Sequence, residues 1–274
     1  MRGLNRRTSA AITAIVILAI IIAIYLGGSL LPDSALKADF SQKALKPSVD
    51  HIFGTDYLGR DMFVRTIKGL SLSLTVGAIA SCISALIALV IGTTAALGKG
   101  LIDHAINWFI DVFMSVPHTV LLILIAMVLD RGATGVLIGI ALTHWCQLAR
   151  IVRAEVLQVR SQQFVLASRK FGKSPFWIAK EHIFPHVIPQ FFVGLILMFP
   201  HAIMHESGLT FLGFGLPPEQ PAIGIILSEA MSYISSGAWW LAFFPGLSLV
   251  ILVLLIDKLG STVRYLLEPR EAQM

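Results

Sequence analysis

Long apolar runs alternate along this chain with short stretches rich in charge, glycine and proline. Six such runs lie near residues 9–31, 70–98, 105–129, 134–154, 186–212 and 239–261. A helix of about 20 apolar residues is long enough to cross the hydrocarbon of a bilayer. It also satisfies its own backbone hydrogen bonds where no water is available. The pattern therefore predicts an all-α membrane protein with six transmembrane helices. Gly, Pro and charged residues punctuate the gaps, and no internal repeat or low-complexity linker divides the chain. Residues 1–274 are expected to form a single transmembrane domain.

Composition agrees with this pattern. The chain is 56% hydrophobic and 14% charged, against about 25% charged in an ordinary soluble domain. Arg2, Arg6 and Arg7 precede the first apolar run, as they would in a signal peptide. That run extends from Ala10 to Leu31, beyond the roughly 7–15 residues of a signal-peptide core. An uncleaved first span is the expected outcome. Cys82 and Cys146 both fall in apolar stretches, where thiols are expected to pack as small buried groups and not to pair.

Lys and Arg placement predicts orientation. Arg2, Arg6, Arg7, Lys99, Lys258, Arg264 and Arg270, with the cluster Arg150, Arg153, Arg160, Arg169, Lys170, Lys173 and Lys180, all fall on one side of a six-span chain. That side is expected to be the cytoplasm and to hold both termini. The opposite loop 32–68 carries Lys37, Lys43, Lys46, Arg60, Arg65 and Lys68, with Asp33, Asp39, Asp50, Asp56 and Asp61 among them. The other external loop, 213–238, has no Lys or Arg and is expected to include a short helix. The net charge of +5 is thus a membrane-topology signal, and nucleic acid is not an expected partner.

Between the fourth and fifth runs lies QFVLASRKFGKSPFWIAKEHIFPHVIP, residues 163–189. Phe164, Ala167, Ser168 and Phe171 recur at helical spacing and share one face. Gly172 is placed to end that helix. Ser174 and Pro175 are placed to start another, as cap and first-turn proline. Phe176, Trp177 and Ile178 give the second helix an apolar edge. By pattern alone this is either a docking knob or a plain interfacial amphipathic hairpin, since Lys, Arg and Trp also favour the headgroup region.

The segment resembles the cytoplasmic coupling loop of ABC importer permeases, in which an Ala-bearing helix, a Gly and a downstream Pro recur; here those positions are Ala167, Ser168, Gly172 and Pro185. One departure stands at Leu166, where many such loops carry Glu. HIFGTDYLGRD at 51–61, FLGFGLPPEQP at 211–221 and DKLGSTVRYLLEPR at 257–270 resemble further segments of the dipeptide/oligopeptide/nickel class, in the same order. In the first of these, Gly54 and Gly59 would make turns, and Thr55 or Asp56 could cap a short helix. The resemblance implies the second permease subunit of such an importer. It implies partnership with a homologous permease, two ABC ATPase domains and an extracytoplasmic solute-binding protein. ATP and Mg would be used by the ATPase subunits, with no cofactor on this chain and no enzymatic activity of its own. A coupling loop over about 160–185 would transmit ATPase motion to the spans.

The candidate substrate residues are histidines. His201 and His205 stand four apart in the fifth run, so both imidazoles project from one helix face. That spacing suits a metal, and neutral imidazole suits nickel and other late transition metals. His144 lies in THWCQLAR; this segment, FVLAS at 164–168 and HAIMH at 201–205 resemble nickel-type permeases more than peptide ones. Peptide permeases of the class often carry Trp-Gly after the Pro-rich loop, whereas Ile223 precedes Gly224 here. Met114, Met198 and Met204 add thioethers near the spans. Glu206 is a further candidate, either neutral or paired with His201 or a partner. The alternatives are peptide import, with the histidines only packing or hydrogen-bonding, and a stand-alone channel or secondary transporter, which leaves the 163–185 knob unexplained.

Three other patterns fail on spacing. Gly172-Lys173-Ser174 ends like a phosphate-binding loop, but Ala167 stands where the first Gly is needed. His205-Glu206 opens a zinc-protease motif, but residue 209 is Leu. No GxSxG elbow occurs.

Overall fold

The computed structural model describes residues 6–98, 100–129 and 132–267. Arg2, Lys99 and Arg270, and with Arg270 the end of the 257–270 motif, lie outside the described residues. Eleven α-helices follow one another, and no strand occurs among the described residues. They are α1 (Arg6–Leu30), α2 (Met62–Gly98), α3 (Gly100–Ser115), α4 (His118–Val128), α5 (Ala133–Thr143), α6 (Trp145–Arg160), α7 (Gln163–Lys170), α8 (Pro175–Ile178), α9 (Phe184–Phe211), α10 (Ile223–Met231) and α11 (Trp240–Leu267). By length and composition, five helical segments can cross a membrane: α1, α2, α5 with α6, α8 through α9, and α11. The pair α3 and α4 makes a sixth if its 91° bend is taken as one broken span.

α2 is the central helix, packing against α1, α6 and α9. It can do so because its inward positions are small: Ser73, Gly77, Ala80, Ser84, Ala88 and Gly92 are all buried. Small residues let helix backbones approach closely, the main source of helix association in lipid. At Gly92 an added Cβ would lie 2.5 Å from the Ala149 carbonyl oxygen of α6. α1 is peripheral, with only Ile17 and Gly28 buried. Its outward side chains, such as Ile15 at 66% exposure, are those of a lipid-facing helix.

Three expectations need correction. The loop expected over 32–68 ends at Asp61, because α2 begins at Met62. Arg65 and Lys68 depress the hydropathy of this first part, yet both are buried; Arg65 is neutralised by ion pairs to Asp56 and Glu229. Cys82 is exposed, since it points away from the buried stripe of α2, while Cys146 is buried as expected. No short helix follows directly on Thr55 or Asp56; Asp56 accepts the Leu58 and Arg60 N–H groups in a turn, and Asp61 caps α2, its Oδ1 accepting the Val64 N–H at 3.0 Å. Gly54 and Gly59 do make turns, with φ of 72° and 76°. The short helix expected within 213–238 is α10.

Candidate functional site

Two features stand out, a cavity between helices and a polar knob at one end of the bundle. The cavity has a volume of about 600 Å³. One face of α9, carrying Gly194, Met198, His201 and His205, forms a wall. The end of α3, the start of α4, and the α5–α6 joint form the rest. Both of the latter are discontinuities. Pro117 separates α3 from α4 and contributes no N–H, so the helix turns sharply there. His144 is at once the last cap of α5 and the first of α6. Broken helices at membrane depth free polar groups to face a cavity, the usual setting for transporter substrate sites.

Four of the chain's eight histidines line this cavity: His118, His144, His201 and His205. Met114 and Met198 line it too, whereas Met204 does not. Among the described residues lining it, none is acidic or basic apart from histidine. The expected pair of His201 with His205 is regrouped. His205 meets His118 and His144, with one ring nitrogen of each within 4.8 Å of the others, while His201 is exposed one turn away along α9. His118 carries no spacing signal in the sequence; its only mark is the adjacent Pro117. Glu206 does not line the cavity. It is fully buried on another face of α9, where it accepts hydrogen bonds from Ser207 (3.2 Å) and Thr210 (3.0 Å). Thr210 in turn accepts the Leu216 N–H, tying α9 to the loop that follows.

The knob comprises α7, α8 and a π-helical turn over Ala179–Ile183. Gly172 follows α7 with φ of 74°, a left-handed position that suits glycine. Ser174 caps α8, accepting the Trp177 N–H at 3.2 Å, with Pro175 in the first turn. Ser168 Oγ lies 2.8 Å from His182 Nε2, holding α7 to the π turn. Val165, fully buried, anchors α7 in a cluster with Val156, Val159 and Ile178. The Phe164, Ala167 and Phe171 face is left outside, as are Phe176, Arg169, Lys170, Lys173 and Lys180. Phe171 and Phe176 are 83% and 80% exposed. Pro185 follows the π turn directly, at the start of α9. Helical backbone runs continuously from Pro175 to Phe211, joining the knob to the span that bears His201 and His205.

The other basic residues of this region pair with groups of neighbouring helices. Arg153 makes a bidentate pair with Asp103 (2.6 and 2.5 Å), Arg150 pairs with Asp111, and Arg160 donates to the Ala96 carbonyl (2.7 Å).

An all-helical membrane bundle with a cavity at two helix breaks and an exposed cationic, aromatic knob defines a multi-pass transport subunit. The chain matches, over residues 88–273, the family described as binding-protein-dependent transport system inner membrane component, and it belongs to that family. It is 33% identical over 98% of its length, and 84% of the relative's, to the dipeptide transport system permease protein DppC of Bacillus subtilis. It is 35% identical over 87% of its length, and 86% of the relative's, to the nickel transport system permease protein NikC of Escherichia coli K12. In fold it resembles a chain of the inward-facing MetNI methionine ABC transporter, with a TM-score of 0.62 over 75% of this chain and 97% of that one, at 19% identity. The protein is therefore an ABC importer permease of the peptide/nickel class, and a transport subunit, not an enzyme.

Proposed function

We propose that this permease carries nickel or a nickel-like metal ion, free or chelated, across the inner membrane. The observation that carries the reading is the convergence of His118, His144 and His205 in one cavity at two helix breaks. Imidazole is a borderline-soft ligand suited to late first-row metals, and Met114 and Met198 add thioether sulfur to the same walls. The nickel relative lends support.

In this reading the chain pairs with a homologous permease, two ATPase domains and an extracytoplasmic binding protein. The basic residues of the knob and both termini face the cytoplasm. Closure of the ATPase dimer displaces the knob through its exposed Phe171, Phe176 and cationic residues. The continuous helical backbone from Pro175 to Phe211 carries that displacement to the cavity wall, and the cavity alternates in access.

Dipeptide import is the second reading, favoured by the extent of similarity to the dipeptide permease. The deciding experiment is ATP-dependent uptake by the reconstituted complex, with labelled nickel competed against dipeptides. Saturable nickel uptake insensitive to dipeptide is expected. Uptake of a labelled dipeptide with none of nickel would overturn the metal reading.

A further inference from the structure

Three imidazoles from three separate elements converge in the cavity. His118 is the first residue of α4, His144 the joint of α5 and α6, and His205 lies within α9. Ring centroids are 4.6 Å apart for His118 and His144, 4.6 Å for His118 and His205, and 5.2 Å for His144 and His205.

His144 Nδ1 lies 3.0 Å from the Ile140 carbonyl oxygen. A carbonyl only accepts, so Nδ1 carries the proton and Nε2 keeps its lone pair. That Nε2 and the Nε2 of His118 are both buried, and neither meets a hydrogen-bonding group among the described residues. A buried polar atom left without a partner costs about 1–3 kcal/mol, and here two such atoms sit in one cluster. A histidine that gives one nitrogen to a backbone carbonyl and keeps the other free is built as metal ligands are. The ligand nitrogens lie within 4.8 Å of one another, and metal–nitrogen bonds of about 2.1 Å bring such nitrogens to roughly 3.0–3.4 Å. Small ring rotations and a slight approach of the three elements suffice to reach that spacing from the 4.8 Å bound.

The absence of a carboxylate among the described cavity residues matters as much. A bare dication here would keep its full charge at membrane depth, which is costly. A metal that brings its own anionic donors would not.

We propose that His118, His144 and His205 form a three-imidazole site for a late first-row divalent metal, whose remaining positions are filled by anionic donors of a chelator transported with it. This rests on the metal-import reading and names the form of its substrate. His201, one turn along α9, is not a ligand.

The test uses the whole assembled transporter, purified on a non-histidine tag and titrated with copper(II)–iminodiacetate. Electron paramagnetic resonance is expected to show nitrogen coupling from more than one imidazole, with radiolabelled iminodiacetate retained alongside the copper. Copper(II) held by ethylenediaminetetraacetate, which leaves no open position, is expected to show none. His144→Asn and His118→Asn should each weaken copper binding by about tenfold or more, since even second-shell changes cost 10–100-fold. His201→Asn should keep the signal. If His144→Asn fails to assemble by gel filtration, His205→Asn, placed away from any helix joint, reads the same loss. Unchanged binding in a variant lacking all three histidines, or equal loss in His201→Asn, would overturn the assignment, and a stripped chelator would overturn its second half. The readout needs no transport. Copper bound without nickel uptake leaves the site and removes the import reading; nickel uptake without the copper signal does the reverse.

Discussion

Arg65 and Asp56 form a buried ion pair, with Arg65 Nη1 2.8 Å from Asp56 Oδ2 and their side chains 3% and 8% exposed. The same guanidinium reaches Glu229 of α10 through Nη2 at 2.9 Å. One arginine in the first turns of α2 thus fixes both the preceding loop and the helix between α9 and α11. Asp56 is otherwise held by the N–H groups of Leu58 and Arg60 and by Arg60 Nε.

Removing one partner of a buried pair leaves the other charge uncompensated, at about 3–5 kcal/mol. Because Arg60 still contacts Asp56, Arg65→Met is expected at the lower end, about 3 kcal/mol. Arg65→Lys keeps the charge but cannot span both carboxylates, so it should fall between. Thermal unfolding of the detergent-solubilised protein would measure both. An Arg65→Met variant as stable as the parent would show that the network contributes nothing.

This network also marks where the sequence stops being informative. Hydropathy places the second span at 70, eight residues late, because Arg65 and Lys68 look like loop residues until their burial is known. The knob was legible because Gly172, Ser174 and Pro175 obey local rules of helix ends, whereas its anchor Val165 depends on tertiary packing. In the cavity, His201 and His205 declare themselves by spacing and His144 by its segment. His118 is brought to them only by the bend after Pro117, which no periodicity reveals. By sequence Glu206 reads as a pathway residue, but the helical rotation between positions 205 and 206 turns it to a different face, against Thr210.

The crossing of α2 and α6 depends on a missing side chain. A Cβ at Gly92 would stand 2.5 Å from the Ala149 carbonyl oxygen, a backbone atom that cannot swing aside. Gly92→Ala should therefore push α6 away and destabilise the protein by about 1–3 kcal/mol. Gly208, in α9, has nothing within 4 Å of its added Cβ. Gly208→Ala should be neutral or stabilising by up to about 1 kcal/mol. Thermal unfolding of the two variants side by side separates crowding at the crossing from a general effect of helical glycine. Equal behaviour would remove the packing argument.

Arg153 and Asp103 make a two-bonded pair between α6 and α3, with side chains 27% and 21% exposed. Partial exposure screens the attraction, so its coupling energy is expected near 1 kcal/mol, the upper end for surface pairs. A double-mutant cycle with Arg153→Ala and Asp103→Ala measures it directly. The coupling should shrink as salt is raised. A coupling of zero at low salt would mean the pair does not hold α3 against α6.

The knob offers the sharpest separation of structure from transmission. Val165 is fully buried beneath α7, and Phe176 is 80% exposed at its tip. Val165→Ala should lower thermal stability by about 1–2 kcal/mol through lost packing. Phe176→Ala buries and exposes nothing new within the chain, so stability should hold. If Phe176 contacts an ATPase subunit, its loss should instead weaken recovery of the ATPase with the permease, or lower substrate-stimulated ATP hydrolysis, by several-fold. Ser174→Ala, which removes the cap on the Trp177 N–H, should fall between, costing about 1 kcal/mol locally and part of the stimulation. Reconstituted complexes assayed for both unfolding and stimulated hydrolysis would give the answer. A Phe176→Ala complex with full stimulation and full ATPase recovery would place the contact elsewhere on the knob, leaving the Phe164, Ala167 and Phe171 face as the surface to examine next.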